Sequence, residues 1–196
     1  MITLPKTQGG WQTMLLDPPW TYHNMGDKLR GNPSFHYKTA SDQLIMNLPV
    51  NEVLADNATV WLWTTNAHLH TALHCLERWK VNYKTMLTWV KTSFGVGFWL
   101  RGQTEHLLLA ARGTPPRILD LDSEGFGTNA STAFLASVEE HSKKPDGIYP
   151  LIERLTLVPR LEVFARSQRE GWFSFGDEVN TQLQKVLGET TPTVYT

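Results

Sequence analysis

The residues most able to do chemistry are four in a row, Asp17-Pro18-Pro19-Trp20. Each proline fixes its own φ and drives the residue before it out of the helical region, so Asp17 and Pro18 are both extended and the turn is stiff. Neither proline carries an N–H. The turn therefore offers acceptors, the Asp17 carboxylate and the backbone carbonyls, beside the flat ring of Trp20. A planar ring bearing two N–H donors suits such a site, and the exocyclic amine of a nucleobase fits: its hydrogens go to Asp17 and to the Pro18 carbonyl while the ring stacks on Trp20. The amine lone pair of adenine is delocalised into the ring and is a poor nucleophile. Two fixed acceptors favour a more pyramidal nitrogen and stabilise the positive charge that grows as it attacks an electrophile. The plainer reading of the same residues is a proline-rich turn with an Asp cap and a core tryptophan.

Other constellations carry less. His70 and His74 stand four apart with Glu77 one turn later, a spacing that puts ligands on one helix face. A Thr follows His70 where a zincin has glutamate, so a solvated polar face is favoured over a metal site. The single cysteine, Cys75, lies in a helical pattern with no nucleophile signature around it and reads as inert packing. Lys28, Arg30 and Lys38 sit in one long loop, where phosphate contact and simple solvation are equally good readings. Gly95-Val96-Gly97 signals a flexible loop, and no Gly-x-Gly-x-x-Gly follows a strand, which excludes a dinucleotide fingerprint.

The elements that must position these residues alternate. Thr13–Leu16 is a short apolar run stopped by the Asp-Pro-Pro turn, a buried strand. Residues 21–40 have no usable period and form a long loop of the functional kind. Ser41 caps a short helix, Thr59–Trp63 is a second strand, and Asn66–Trp79 is an amphipathic helix with Asn66 as its cap. Tyr83–Val90 and Glu105–Ala111 are strands separated by the glycine-containing loop Lys91–Gly102. Residues 112–137 form a second long loop with a local turn of helix at 132–136. A helix starts at Pro145 and ends near Leu155, with Pro150 expected to kink or shorten it. Arg160–Ala165 is a strand, Glu178–Leu187 a last helix, and 181–196 a polar tail. Strands alternating with helices indicate an α/β sandwich around a mostly parallel sheet, one domain over residues 1–196.

The 196 residues are 41% hydrophobic and 19% charged, and no apolar run nears the ~18 residues of a membrane span, so membrane and disordered classes are excluded. Met1–Trp11 lacks a secretory core, and one cysteine allows no internal disulfide; both point to the cytoplasm. The net charge of −1 argues against a nucleic-acid binder, yet it hides a segregation: Lys84–Arg117 carries +4 and Leu119–Asp146 carries −4. Eight tryptophans suit base stacking or a core, with core favoured for each.

At the Asp-Pro-Pro-Trp turn the sequence resembles the MT-A70 family of S-adenosylmethionine-dependent adenine-N(6) methyltransferases. The resemblance rests on the Asp-Pro-Pro-Trp turn and on further segments in the family's order. They are Val60–Asn66 (VWLWTTN), Thr88–Thr92 (TWVKT), Gly95–Gly113, Glu140–Leu155 (EHSKKPDGIYPLIERL) and Leu161–Val179. It covers roughly residues 14–180 and implies a Rossmann-like methyltransferase fold. It further implies that Asp17, Pro18, Pro19 and Trp20 hold the target adenine, with Asp17 also near the cofactor. Lys144 matches a lysine that pairs with the cofactor carboxylate, Arg166 the arginine after the cofactor-binding strand, and Gln168 and Arg169 a loop near the ribose. Asp177 and Glu178 match an element contacting the cofactor's ribose and adenine; Asp177 stands where relatives carry Asn and accepts a hydrogen bond but cannot donate one. Tyr37 matches an aromatic near the acceptor site; beside the resemblance, Lys28, Arg30 and Arg101 are the further candidates for contact with the nucleic-acid substrate. Departures are the looser stretch Ile118–Val138 and Val138 itself, where relatives often carry a basic residue. The implied activity is methyl transfer to the 6-amino group of adenine, in DNA rather than RNA, in a bacterial or phage-infected cell. Homodimerisation or a partner subunit stays open. The competing class is a catalytically silent nucleic-acid-binding or partner-binding subunit of the same fold.

Overall fold

Short, continuously apolar strands require cover on both faces. The computed structural model describes residues 2–21, 40–95, 99–116, 130–138, 143–176 and 179. Seven strands form one sheet: β1 (Trp11–Leu16), β2 (Leu54–Thr65), β3 (Asn82–Lys91), β4 (Thr104–Arg112), β5 (Ala133–Ala136), β6 (Arg160–Val163) and β7 (Phe173–Phe175). Their order is β5-β3-β4-β2-β1-β6-β7. β1 pairs parallel with β2 and β6, β6 with β7, and β3 with β5, whereas β4 runs antiparallel to both β2 and β3. The fold is the expected α/β sandwich of Rossmann-like methyltransferase type, with one reversed strand inside a parallel sheet.

Side chains alternate across the sheet with the strand period of two. Met14, Leu16, Val60 and Leu62 pack on one face, toward α1 (Asp42–Met46) and α3 (Leu69–Arg78), whose Ala72, Cys75 and Leu76 lie at helical spacing. Leu15, Trp61 and Trp63 point the other way, against Ile148 and Ile152 of α4 (Ile148–Leu155). Ser41 caps α1 as expected, its Oγ accepting from Leu44 N at 3.2 Å. Cys75 is buried and its thiol is pushed up to about 12 by burial, with the Asp42 charge adding, so it stays protonated. Seven of the eight tryptophans are buried; Trp99 is the exception.

Several local expectations are corrected. Residues 133–136, expected as a turn of helix, are strand β5, because Ala133 and its neighbours pair with Thr88–Lys91. Asn66 caps no helix: it opens a single 3-10 turn, Asn66–His68, and α3 starts at Leu69. The helix near Pro145 starts at Ile148, so Pro150 falls in its first turn, where an N–H has no intrahelical partner and no kink is needed. The four-residue helix α2 (Val50–Val53) and strand β7 carried no periodic signal. The expected helix at 178–187 and most of the two long loops lie outside the described residues. No described helix is long and apolar enough to cross a membrane.

Candidate active site

β1 stands between β2 and β6, so the chain departs from it to opposite sides, and the crevice at its carboxyl end is where open α/β sheets bind ligands. Asp17 is the first residue past that end. Leu16 is in register with Leu62 and Val163, and the Asp17 N–H donates to the Val163 carbonyl at 3.4 Å. Phe164, just past β6, has φ +67°, a conformation disfavoured for a bulky residue and retained beside this crevice. Gly176, past β7, lies so close to the Ala165 carbonyl that a Cβ would stand 2.0 Å from its oxygen.

Four charged side chains alternate in sign along the edge formed by the carboxyl ends of the parallel strands and the amino end of the reversed strand β4. Lys144 Nζ lies 2.8 Å from Asp17 Oδ1 and 2.9 Å from Oδ2, and 3.5 Å from Glu105 Oε2. Glu105 Oε1 accepts from Lys91 Nζ at 2.5 Å. Lys144 is 12% exposed and sits 5.6 Å from the centre of the Trp63 ring; Lys91 sits 4.7 Å from that of Trp89. Burial pushes the Glu105 carboxyl up, but Lys144 and Lys91 outweigh it and hold the group below its ordinary range. Next to Glu105, His106 Nε2 donates to Asn66 Oδ1 at 2.7 Å and its Nδ1 accepts from Thr88 Oγ1 at 3.1 Å, the assignment the amide oxygen requires. Burial lowers the His106 pKa against an opposing pull from Glu105, keeping the ring neutral.

Beside Asp17, α4 and the β6–β7 connection add a second group. Arg169 donates to Asp146 Oδ1 at 2.7 Å and lies 3.6 Å over the Tyr149 ring. Tyr149 OH donates to Glu162 Oε1 at 2.7 Å. Burial raises both the Tyr149 and the Glu162 groups, so the tyrosine stays protonated.

Trp20 is placed differently from the open stacking face that the turn suggested. It is 5% exposed, donates through Nε1 to the Trp63 carbonyl at 3.0 Å, and stacks on His68 at 5.4 Å with an 18° interplanar angle. His68 Nε2 donates to the Thr21 carbonyl at 3.0 Å, pinning the chain as it leaves the turn. The Pro18 carbonyl already accepts the Trp20 N–H at 2.9 Å, leaving its second lone pair for a ligand.

Of the residues singled out from sequence, the structure brings Asp17, Lys144 and Arg169 to this edge. Arg166 and Gln168 are exposed on the β6–β7 connection at the same edge. Arg101 is exposed on the β3–β4 connection, where its Nε donates to the Gly95 carbonyl at 2.7 Å. Lys28, Arg30, Tyr37, Asp177 and Glu178 lie outside the described residues. Glu105, Lys91, Asp146, Tyr149 and His68 were not singled out; the one sequence signal was the lone acid Glu105 opening the apolar run Leu107–Ala111 inside a basic stretch. His70 and His74 touch ring to ring at 4.3 Å on α3, and among the described residues no group of three or more His, Cys, Asp or Glu could hold a metal.

The MT-A70 family model matches residues 11–178. The N(6)-adenosine-methyltransferase MT-A70-like protein of Arabidopsis thaliana is 29% identical over 185 residues, covering 88% of this chain and 24% of that protein. The N(6)-adenosine-methyltransferase catalytic subunit METTL3 of Homo sapiens is 28% identical over 184 residues, covering 88% and 29%. The type II methyltransferase M.MunI of Mycoplasma sp is 26% identical over 197 residues, covering 90% and 80%. The chain thus spans about a quarter of the length of the plant relatives it matches and most of the length of M.MunI. With its family match running from the first strand past the last and its Asp-Pro-Pro-Trp turn at the carboxyl end of β1, the chain belongs to the MT-A70 family.

Proposed function

We propose that this protein transfers a methyl group from S-adenosylmethionine to the 6-amino group of adenine in DNA. The observation that carries the reading is the Asp17 carboxylate fixed by Lys144 at the carboxyl end of β1 in an MT-A70 chain. Methyltransferases of that family are S-adenosylmethionine-dependent. The donor set suits the cofactor: a lysine for its carboxylate, a carboxylate near its positive groups, and Arg166, Gln168 and Arg169 on the connection beside the crevice. Bound there, the cofactor supplies an electrophilic methyl group on a sulfonium.

The chain's own residues then have three tasks. Lys144 exchanges the Asp17 carboxylate for the cofactor carboxylate, which releases the Asp17 oxygens as acceptors. Asp17 and the spare lone pair of the Pro18 carbonyl take the two amino hydrogens, orient the nitrogen lone pair and stabilise the positive charge that develops on it. Asp17 also receives the proton that the nitrogen loses once the new C–N bond has formed. The stiff turn, pinned through Trp20 and His68, holds these acceptors still. Such positioning is able to supply about 7–11 kcal/mol of the barrier reduction.

DNA is placed first because M.MunI, matched over 80% of its length, is a type II methyltransferase of similar extent. The test is incubation with tritiated S-adenosylmethionine and, separately, duplex DNA, single-stranded DNA and RNA, followed by nucleoside analysis. Label in 6-methyladenine from DNA is expected, and Asp17→Ala abolishes it while cofactor binding stays measurable by calorimetry. Label from RNA alone overturns the choice of polymer. Cofactor binding without transfer to any polymer points to a missing partner or an untested target, and no cofactor binding either favours the catalytically silent subunit.

A further inference from the structure

The β3–β4 connection, described at residues 92–95 and 99–103, leaves the sheet beside the Lys91–Glu105–Lys144–Asp17 charges and returns to them. Its neck is braced. Lys91 N–H donates to the Gln103 carbonyl and Gln103 Nε2 to the Lys91 carbonyl, both at 2.9 Å; Gly95 N–H donates to the Gly102 carbonyl at 2.6 Å, and Arg101 Nε to the Gly95 carbonyl. This braced loop carries apolar side chains into solvent: Trp99 is 96% exposed, Leu100 85% and Phe94 69%. Tryptophan elsewhere in the chain is buried, and large apolar side chains grouped in solvent on one connection mark a contact site. Its chemistry is one-sided, because residues 91–104 contain Lys91 and Arg101 and no Asp or Glu. The nearest carboxylate, Glu105, is neutralised by two lysines.

An adenine in a duplex reaches Asp17 only if it leaves the stack, and the opened step is stabilised when an apolar side chain wedges into it. We infer that the β3–β4 connection is this wedge: Trp99 stacks on the step vacated by the target adenine, and Arg101 pairs with an adjacent phosphate. The inference rests on the adenine-methylation reading and adds to it the groups that engage the polymer around the target base. Trp99 touches none of the reacting atoms and acts by holding the duplex open.

Trp99 makes so little contact with the fold that its replacement leaves folding intact, which a thermal melt checks. Binding of a fluorescein-labelled mixed-sequence 20-base-pair duplex, followed by anisotropy, is expected to weaken about tenfold or more in Trp99→Ala and to recover largely in Trp99→Phe. Arg101→Gln should reduce the slope of log affinity against log salt by about one. Methyl transfer should fall further on duplex than on single-stranded DNA, where no step has to be opened. Unchanged duplex affinity in Trp99→Ala, equal losses on both polymers, or a wild-type protein that binds no duplex overturns the wedge. A dimer in light scattering that Trp99→Ala turns into monomer also overturns it and assigns the surface to a second copy. Wild-type protein that binds duplex but transfers no methyl refutes the proposed reaction, while the anisotropy comparison still decides the wedge.

Discussion

Glu105→Gln removes the central anion of the alternating row and keeps its shape. In the native protein that carboxylate stands 2.5 Å from Lys91 Nζ and 3.5 Å from Lys144 Nζ, with the three side chains between 12 and 20% exposed. At an effective dielectric constant of about 20, each contact is worth roughly 5–7 kcal/mol of gross attraction. Most of that is cancelled by the cost of taking the charges out of water. What survives is the asymmetry: without Glu105, two half-buried ammonium groups share the single carboxylate of Asp17. Removing one partner of a buried pair costs about 3–5 kcal/mol, and the residual exposure here lowers the figure to about 2–3 kcal/mol. For a chain of this length that is a fall in melting temperature of roughly 4–12 °C. The pH dependence separates an electrostatic cause from a packing one. Glu105 titrates below its ordinary value in the folded state, so its stabilisation is complete above the unfolded carboxyl pKa of ~4.3 and is lost as pH falls through the folded one. Calorimetric melts of wild type and Glu105→Gln should therefore differ by a constant gap between pH 5 and 8 that closes on further acidification. Equal stability at pH 7, or a gap that persists unchanged into acid, would refute the reasoning.

Three further outcomes are expected. Lys144→Ala should weaken cofactor affinity about ten- to hundredfold by calorimetry and lower methyl transfer further, because Lys144 balances Asp17 and is proposed to meet the cofactor carboxylate; unchanged affinity would detach it from the cofactor. Glu162→Gln should raise the melting temperature at neutral pH, since burial holds the Glu162 carboxyl above its ordinary value and the cost of ionising it grows as pH rises past ~4.3. The Gln oxygen still accepts from Tyr149, so the gain should vanish toward pH 4, and a loss of stability at pH 7 would contradict this. Gly176→Ala should cost on the order of 3 kcal/mol or more, because the new methyl would meet the Ala165 backbone, which cannot move without breaking the Ala165 N–H bond to Phe175 at 3.1 Å; a variant that melts like wild type would refute it.

Where an element's identity is a local property, it was legible. Thr13–Leu16 ending at Asp17-Pro18 reads as a strand stopped by two prolines, and strand β1 ends at Leu16. Ala72, Cys75 and Leu76 repeat at the period of a helix, and α3 buries that stripe. The loop between Lys91 and Gly102 was legible from its glycines. Ala133–Ala136 was not, because AFLA is an acceptable turn of helix and becomes strand only through its pairing with Thr88–Lys91. Strand β7 has three residues and no period; its partner β6 creates it. The direction of β4 was equally hidden, since a connection of this length permits either sense.

By itself the sequence determined the class of the fold, the family, and the placement of a proline-stiffened carboxylate at the end of a strand, because periodicity, proline restraint and motif order all act over a few neighbouring residues. Tertiary structure alone decided the chemistry around that carboxylate. Lys144 meets Asp17, Glu105 joins Lys144 to Lys91, His68 stacks on Trp20 and closes what looked like an open face, and Trp99 alone among the tryptophans is left in solvent. Charge pairing and burial depend on which strands lie side by side. That order is set by packing across the whole sheet, so no local window of sequence contains it.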